Sequence, residues 1–272
     1  MTIPTPALAD IKLIATDLDG TLLKGWRPTI DERAFPLITA LADHGIAFFA
    51  ASGRQYRSLQ RLFGPVADRI GYVCENGALA IYHDEVLLER EVPREKVFEI
   101  FRTIQACPYC EPFLAARETS YILEGYDDFY DHLVNITHAH VTVVKRLEDI
   151  AEPIIKLSFK VPADKNAEAA AHFNDAFGAG YHVVTSGTIW IDVIQDGTDK
   201  GTALTAVGER LGIDPADMVA FGDAANDREM LELVGHPYLM DTGSPELRNL
   251  NERIRLCSSV EDELERLLAT AK

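Results

Sequence analysis

Two carboxylates, Asp17 and Asp19, stand at the end of an apolar run and are followed at once by Gly20-Thr21. On an extended chain a spacing of two aims both side chains at one pocket while Leu18 turns away. Asp-Gly after an apolar run is equally a common turn. Further along stand other chemically able residues: Ser52-Gly53, Lys200, and Asp223 with Asn226 and Asp227. Singly, each has an ordinary reading. Ser and Asp are favoured helix caps, and an isolated lysine is usually a solvated one. Together, Asp17, Asp19, Asp223 and Asp227 would bring their negative charges into one crevice, where like charges resist joint ionisation. A divalent cation resolves that conflict. Oxygen donors with few histidines favour Mg2+, which readily shares its shell with a phosphate. Lys200 adds a fixed positive charge opposite the metal. The set suits phosphoryl transfer, whose catalysis is largely positioning and charge neutralisation. A carboxylate that attacks phosphorus cannot also deliver a proton to its opposite side, so two acids on one strand end supply two roles.

These residues can act together only if the fold delivers them to one edge of one sheet. Residues 11–15 and 46–50 read as buried strands, with a third at 72–74. Thr29 and Glu32 have the spacing of a capping box for a helix running to about residue 44, where Gly45 stops it. A second helix is expected over 54–63. Strand and helix thus alternate, the signature of a parallel sheet with right-handed crossovers. Ligands in such sheets sit beyond the carboxyl ends of the strands.

The texture changes near residue 81. Tyr82-His83-Asp84-Glu85 reads as a turn between two strands. Helices follow at 93–106, 127–136 and 164–177, the last ending at Gly178, among strand-like stretches at 113–123, 140–144, 154–161, 181–185 and 188–194. His182 and Val184 alternate with Val183 and Thr185, as in an antiparallel sheet with one covered face. After Gln195 the first pattern returns: helix 201–211, strand 218–221, helix 228–234, strand 238–240, Ser244-Pro245 as N-cap and first turn, strand 254–257, and a helix from Ser259. The expected fold class is α/β. A Rossmann-like, doubly wound parallel sheet core is discontinuous over 1–83 and 195–272, and an α+β cap is inserted at 84–194.

Composition narrows the partners. The chain has 272 residues, 47% of them hydrophobic, enough for real cores in one large or two modest domains. A formal net charge of −17 would repel a phosphate backbone, so no nucleic-acid partner is expected. It also means that any phosphate site must supply its own positive charge. No apolar run approaches a membrane span, and the first ten residues lack the pattern of a secretory signal. The expectation is a cytoplasmic protein with no membrane partner. Four cysteines do not form a disulfide framework at this length. Cys107-Pro108-Tyr109-Cys110 matches a tetrapeptide of glutaredoxin-like redox sites, but there the first cysteine opens a helix. Here a helical pattern runs into Cys107 and a strand follows Cys110, so the segment reads as a helix-to-strand turn.

Asp17-Leu18-Asp19-Gly20-Thr21, Ala51-Ser52-Gly53-Arg54, Lys200-Gly201 and Gly222-Asp223-Ala224-Ala225-Asn226-Asp227 occur in the order of the four motifs of the haloacid dehalogenase (HAD) superfamily. The chain resembles its Cof-type phosphatases, whose cap lies between the second and third motifs, and the strand-helix pattern fits essentially throughout. The resemblance implies that Asp17 is the nucleophile that takes the phosphoryl group as an aspartyl-phosphate. It implies that Asp19 is the general acid that protonates the leaving oxygen and then activates water. Mg2+ would be bound by the carboxylates of Asp17 and Asp223 and the backbone carbonyl of Asp19, with Asp227 supporting the metal shell. Ser52 and the amide of Gly53 would hold phosphate oxygens, Asn226 would contact the phosphate, and Lys200 would steady the nucleophile and the transferring group. Two departures stand out. Thr198-Asp199 replaces the family's usual Val-Ser before the lysine, and Met240-Asp241-Thr242-Gly243 replaces a Gly-Asn-Ala segment. Neither touches a group given a chemical role; both bear on substrate preference or cap docking.

The expected activity is Mg2+-dependent hydrolysis of a small soluble phosphomonoester, a sugar phosphate first among them. A cap closing over the strand ends would exclude water and bulky substrates. The same residues also admit a phosphomutase or phosphotransferase, or a non-catalytic phosphate-ester binding module. His138 and His140 read as solvent-facing rather than as substrate contacts. The sequence leaves the oligomeric state and the substrate open.

Overall fold

A computed structural model describes residues 5–26, 28–177 and 179–271. In chain order the elements are β1 (Leu13–Thr16), α1 (Ala34–Asp43), β2 (Ala47–Ala51), α2 (Tyr56–Leu62), β3 (Gly71–Cys74), β4 (Leu79–Tyr82) and β5 (Glu85–Glu89). Then come α3 (Arg94–Gln105), β6 (Glu111–Ala115), β7 (Ser120–Leu123), α4 (Asp127–Asn135), β8 (Val141–Val144), β9 (Lys156–Lys160), α5 (Asn166–Phe177), β10 (Tyr181–Ser186) and β11 (Trp190–Gln195). The chain closes with α6 (Lys200–Leu211), β12 (Met218–Gly222), α7 (Arg228–Leu233), β13 (His236–Met240), β14 (Arg255–Cys257) and α8 (Val260–Leu268). Two compact units result: Met1–Arg54, Leu59–Leu88 and Asp199–Lys272 form one, Gln55–Ser58 and Glu89–Thr198 the other.

The first unit is built on an eight-stranded sheet of order β14-β13-β12-β1-β2-β3-β4-β5. Its strands from β14 to β3 run parallel, and β4 turns back antiparallel beside β3. Strand order reverses between β1 and β12, which makes their carboxyl ends the switch point where such sheets bind ligands. Every residue of β1 and β2 is buried, as expected for strands covered on both faces. One face packs Leu13, Ala15 and Phe49 against Leu204 and Val207 of α6 and Leu231 of α7. α1 and α8 lie against each other, α1 reaching β2. This is the expected α/β, Rossmann-like architecture.

The second unit has a six-stranded sheet of order β10-β11-β9-β6-β7-β8. It is antiparallel except for β7 with β8. Phe101 and Ile104 of α3 and Phe173 of α5 share a core with Leu114, Leu157, Phe159, Ile191 and Val193. On the alternate positions, Phe129 and Leu133 of α4 pack with Phe113, Ile122 and Trp190. In β6, β7 and β11 the period-two alternation therefore feeds two hydrophobic clusters.

Several local expectations change. No capping box forms at Thr29. Helix α1 begins at Ala34, after a turn in which Asp31 accepts from the amides of Arg33 and Ala34. Pro36 explains the shift: proline is tolerated only in a first helical turn, so the helix cannot start four residues earlier. The stretch 113–123 is a hairpin, β6 to β7, broken at the charged pair Arg117-Glu118, where the amide of Ala116 bonds the carbonyl of Thr119. Pro245–Asn249 is a 3-10 turn in which the Ser244 hydroxyl caps nothing. Tyr82 to Glu85 is a tight turn with positive φ at His83 and Asp84, and 107–110 is the helix-to-strand turn, closed by a Cys110 amide to Cys107 carbonyl bond of 3.1 Å. The expected stop at Gly178 lies outside the described residues.

Candidate active site

Register brings the motifs together. β1 pairs with β2 and β12 so that Thr16 lies beside Ala50 and Phe221. One step onward, the Asp17 amide donates to the Phe221 carbonyl at 2.9 Å. Asp17 thus leaves its strand between Ser52 on one neighbour and Asp223 on the other. Lys200 arrives from a helix instead. It opens α6, whose N-cap Asp199 accepts from the Thr202 amide while the Thr202 hydroxyl accepts from the Asp199 amide. A fixed helix start on the buried face of the sheet aims the lysine under the strand ends.

The centre is a buried charge cluster. Lys200 Nζ lies 2.6 Å from Asp17 Oδ1 and 2.6 Å from Asp227 Oδ1, with all three side chains buried. The other oxygen of Asp227 accepts from the amides of Asp223 and Ala224 at 2.9 and 3.0 Å. Asp227 is therefore held on both oxygens. Asp223 accepts from the Thr21 hydroxyl at 3.0 Å. Asp17 Oδ2 is buried and has no hydrogen-bond partner. Burial pushes the Asp17 carboxyl up to about 8, with Asp227 and Asp223 adding to the rise against the pull of Lys200. Asp223 is raised as well, by burial first and then by Asp227. For Lys200 burial works toward loss of the proton, but the two carboxylates outweigh it and hold the ammonium charged.

One ammonium does not balance three carboxylates. One oxygen from each of Asp17, Asp223 and Asp227 falls within 4.8 Å of the others. An all-oxygen donor set with one buried oxygen lacking a partner fits a hard divalent cation.

The remaining residues sit around this cluster. Ser52 is buried, and its hydroxyl accepts from the Arg54 amide at 3.2 Å. Gly53 is half-buried behind it, while Asn226 is exposed in the turn that leads into α7. The Asp19 carboxylate does not join the cluster; Arg54 grips it with two bonds, at 2.9 and 2.5 Å. The turn between Asp17 and Asp223 has no room for a side chain at Gly20: φ is +94° and a Cβ would lie 2.3 Å from Asp223 Oδ2. His138 and His140 are both exposed, as expected. Arg54 and Thr21 received no chemical role from the sequence. Thr21 read as a turn residue, and only the proximity of Asp223, about two hundred positions away, reveals its bond. Gly243 and Ser244 also back the site: the Ser244 amide donates to the Asp223 carbonyl at 2.7 Å.

The strand ends at the switch point of the sheet thus gather the carboxylates and the lysine in one place. The model of the haloacid dehalogenase-like hydrolases matches residues 14–259, and the chain belongs to that family. It is similar to the 5-amino-6-(5-phospho-D-ribitylamino)uracil phosphatase YbjI of Escherichia coli, 27% identical over 85% of each chain. An HMP-PP phosphatase of Escherichia fergusonii is 26% identical over 87% of this chain and 86% of its own. A crystal structure from Eubacterium rectale superposes over 96% of this chain and all of the other, at a TM-score of 0.84 and 27% identity. The chain is accordingly an enzyme, an HAD-type phosphatase.

Proposed function

We propose that the protein is a Mg2+-dependent phosphomonoester hydrolase of a small phosphorylated metabolite, a sugar or polyol phosphate, and that it works through an aspartyl-phosphate on Asp17. The observation that carries this reading is the buried set Asp17–Lys200–Asp227 with the unpartnered Asp17 oxygen. Carboxylates of Asp17 and Asp223 and the backbone carbonyl of Asp19 would hold Mg2+, with Asp227 orienting the set. When bound, the ion supplies charge neutralisation for the phosphoryl oxygens.

Asp17 attacks phosphorus, a new P–O bond forms, and the bond to the leaving oxygen breaks. Asp19 gives its proton to that oxygen, then takes one from the water that attacks the acyl phosphate, releasing inorganic phosphate and restoring Asp17. For Asp19 to do so, Arg54 must let go of the carboxylate, and an incoming phosphate dianion offers the guanidinium a second anion to bind. Ser52, the Gly53 amide and Asn226 hold the phosphate oxygens, and Lys200 keeps Asp17 oriented.

The unit around 84–194 acts as a cap that selects the leaving group. The phosphoribityl compound acted on by the E. coli relative supports the sugar or polyol class. The test is phosphate release from an aryl phosphate and from a panel of sugar phosphates with added Mg2+. Turnover that is lost on chelation and in Asp17→Asn supports the mechanism; an unchanged rate in either case refutes it.

A further inference from the structure

Glu75-Asn76-Gly77, between β3 and β4, has no role in this mechanism. Among the described residues it is the one place where three consecutive residues have positive φ, at 51°, 57° and 100°. Non-glycine residues keep such torsions only where their surroundings over-determine them, and such strain collects at functional sites. Glu75 and Asn76 are also buried. Left-handed torsions in succession turn neighbouring amides to the same side. Here the Glu75 amide donates to the Arg54 carbonyl and the Asn76 amide to the Ser52 carbonyl, both at 3.2 Å. The Asn76 side chain fills the space next to Gly53, where a Cβ would lie 2.7 Å from Asn76 Oδ1. Gly77 presses on the opposite partner: a Cβ there would lie 2.1 Å from the Asp199 carbonyl oxygen and 3.1 Å from the Lys200 amide.

We propose that Glu75-Asn76-Gly77 is a positioning element that sets the phosphate-holding loop Ser52-Gly53 against the start of α6, and so against Lys200. The proposal rests on the roles given above to Ser52, Gly53 and Lys200. One side of the segment holds the loop by two backbone bonds and the Asn76 side chain. The other abuts the carbonyl of the residue that caps the lysine's helix. The left-handed backbone is what lets so short a segment touch both. Displacements of about 1 Å in such a frame cost on the order of a hundredfold in rate.

The experiment compares wild type, Asn76→Gly, Gly77→Ala and Gly45→Ala with Mg2+ present. Turnover of an aryl phosphate and binding of inorganic phosphate by calorimetry are the readouts. Asn76→Gly accepts the same torsion and adds no clash. It should raise KM and the dissociation constant for phosphate about tenfold while leaving the thermal midpoint close to wild type, since tenfold corresponds to a modest loss of held contact. A merely structural change lowers the active fraction and so kcat, but leaves KM and phosphate affinity alone. Gly77→Ala should lower kcat about a hundredfold through Lys200. Gly45→Ala has φ +76° with nothing within 4 Å; it carries the torsional strain without the contact and should keep wild-type KM and kcat. KM and phosphate affinity within twofold of wild type in Asn76→Gly would overturn the positioning role, whether or not Gly77→Ala folds. A wild type that neither turns over nor binds phosphate removes the phosphoryl-transfer reading and the positioning role with it. An active wild type with an unaffected Asn76→Gly removes the positioning role alone.

Discussion

Replacing Asp17 with asparagine should abolish turnover and, in chelator, make the protein more stable. The carboxyl sits near 8 in the folded chain against an ordinary 3.8, chiefly through burial. A raised acid holds its proton more tightly when folded than unfolded. Folding therefore gains nothing from it below about pH 4 and loses stability progressively as pH rises towards 8. At pH 7 the gap of about three pH units, at roughly 1.4 kcal/mol each, bounds the penalty near 4 kcal/mol. Relaxation and water entry in the folded state reduce this, and about 2 kcal/mol is a realistic figure. In a chain of this size that corresponds to about 4–8 °C in thermal midpoint. Asparagine keeps an oxygen for Lys200 and carries no charge to desolvate. The assay is thermal unfolding of both proteins in chelator between pH 4 and 8. The two midpoints should coincide near pH 4 and separate with rising pH, Asp17→Asn being higher; saturating Mg2+ should shrink the gap, because wild type offers the ion one more charge. An Asp17→Asn midpoint at or below wild type throughout, or a difference that ignores pH, would refute the reasoning.

Lys200→Met removes both charged bonds of 2.6 Å, and steady-state kinetics should find kcat reduced by about 10²–10³, as for loss of a charge-stabilising donor. Gly20→Ala meets Asp223 and an unfavourable torsion at once; chemical denaturation should register a loss of about 1–3 kcal/mol, and Mg2+ should rescue less of it than of wild-type stability. Mg2+ at a hundred times its dissociation constant should stabilise wild type by about 2.7 kcal/mol, read as a rise in thermal midpoint that Asp223→Asn lacks.

The core was legible because its signals are local and strong. Apolar runs of strand length ending in Asp17, Ser52 and Asp223 read directly as parallel strands, and the helices between them fixed the crossovers. The carboxylates and Lys200 could be grouped because a parallel sheet delivers successive strand ends to one edge. What stayed hidden depends on distant partners. Thr21 to Asp223 and Arg54 to Asp19 are side-chain meetings that no spacing rule encodes. The cap expected at Thr29 is overridden by Pro36, which must lie in a first helical turn and so moves the start of α1 past the Thr-x-x-Glu pattern. The hairpin inside 113–123 was masked because the break at Arg117-Glu118 carries neither glycine nor proline between the apolar stretches 113–116 and 121–123. Asn76-Gly77 is a pair that tolerates a left-handed backbone, but Glu75 is not such a residue, and no spacing rule joins the three to Gly53 and Asp199.

The central claim is that Asp17 carries the phosphoryl group, and acid quench during turnover tests it most directly. Wild type mixed with a labelled phosphate ester and Mg2+ should yield a phosphoryl adduct on the peptide containing Asp17, released by hydroxylamine as an acyl phosphate is, and absent in Asp17→Asn. Label on another residue, or steady turnover in Asp17→Asn, would contradict it.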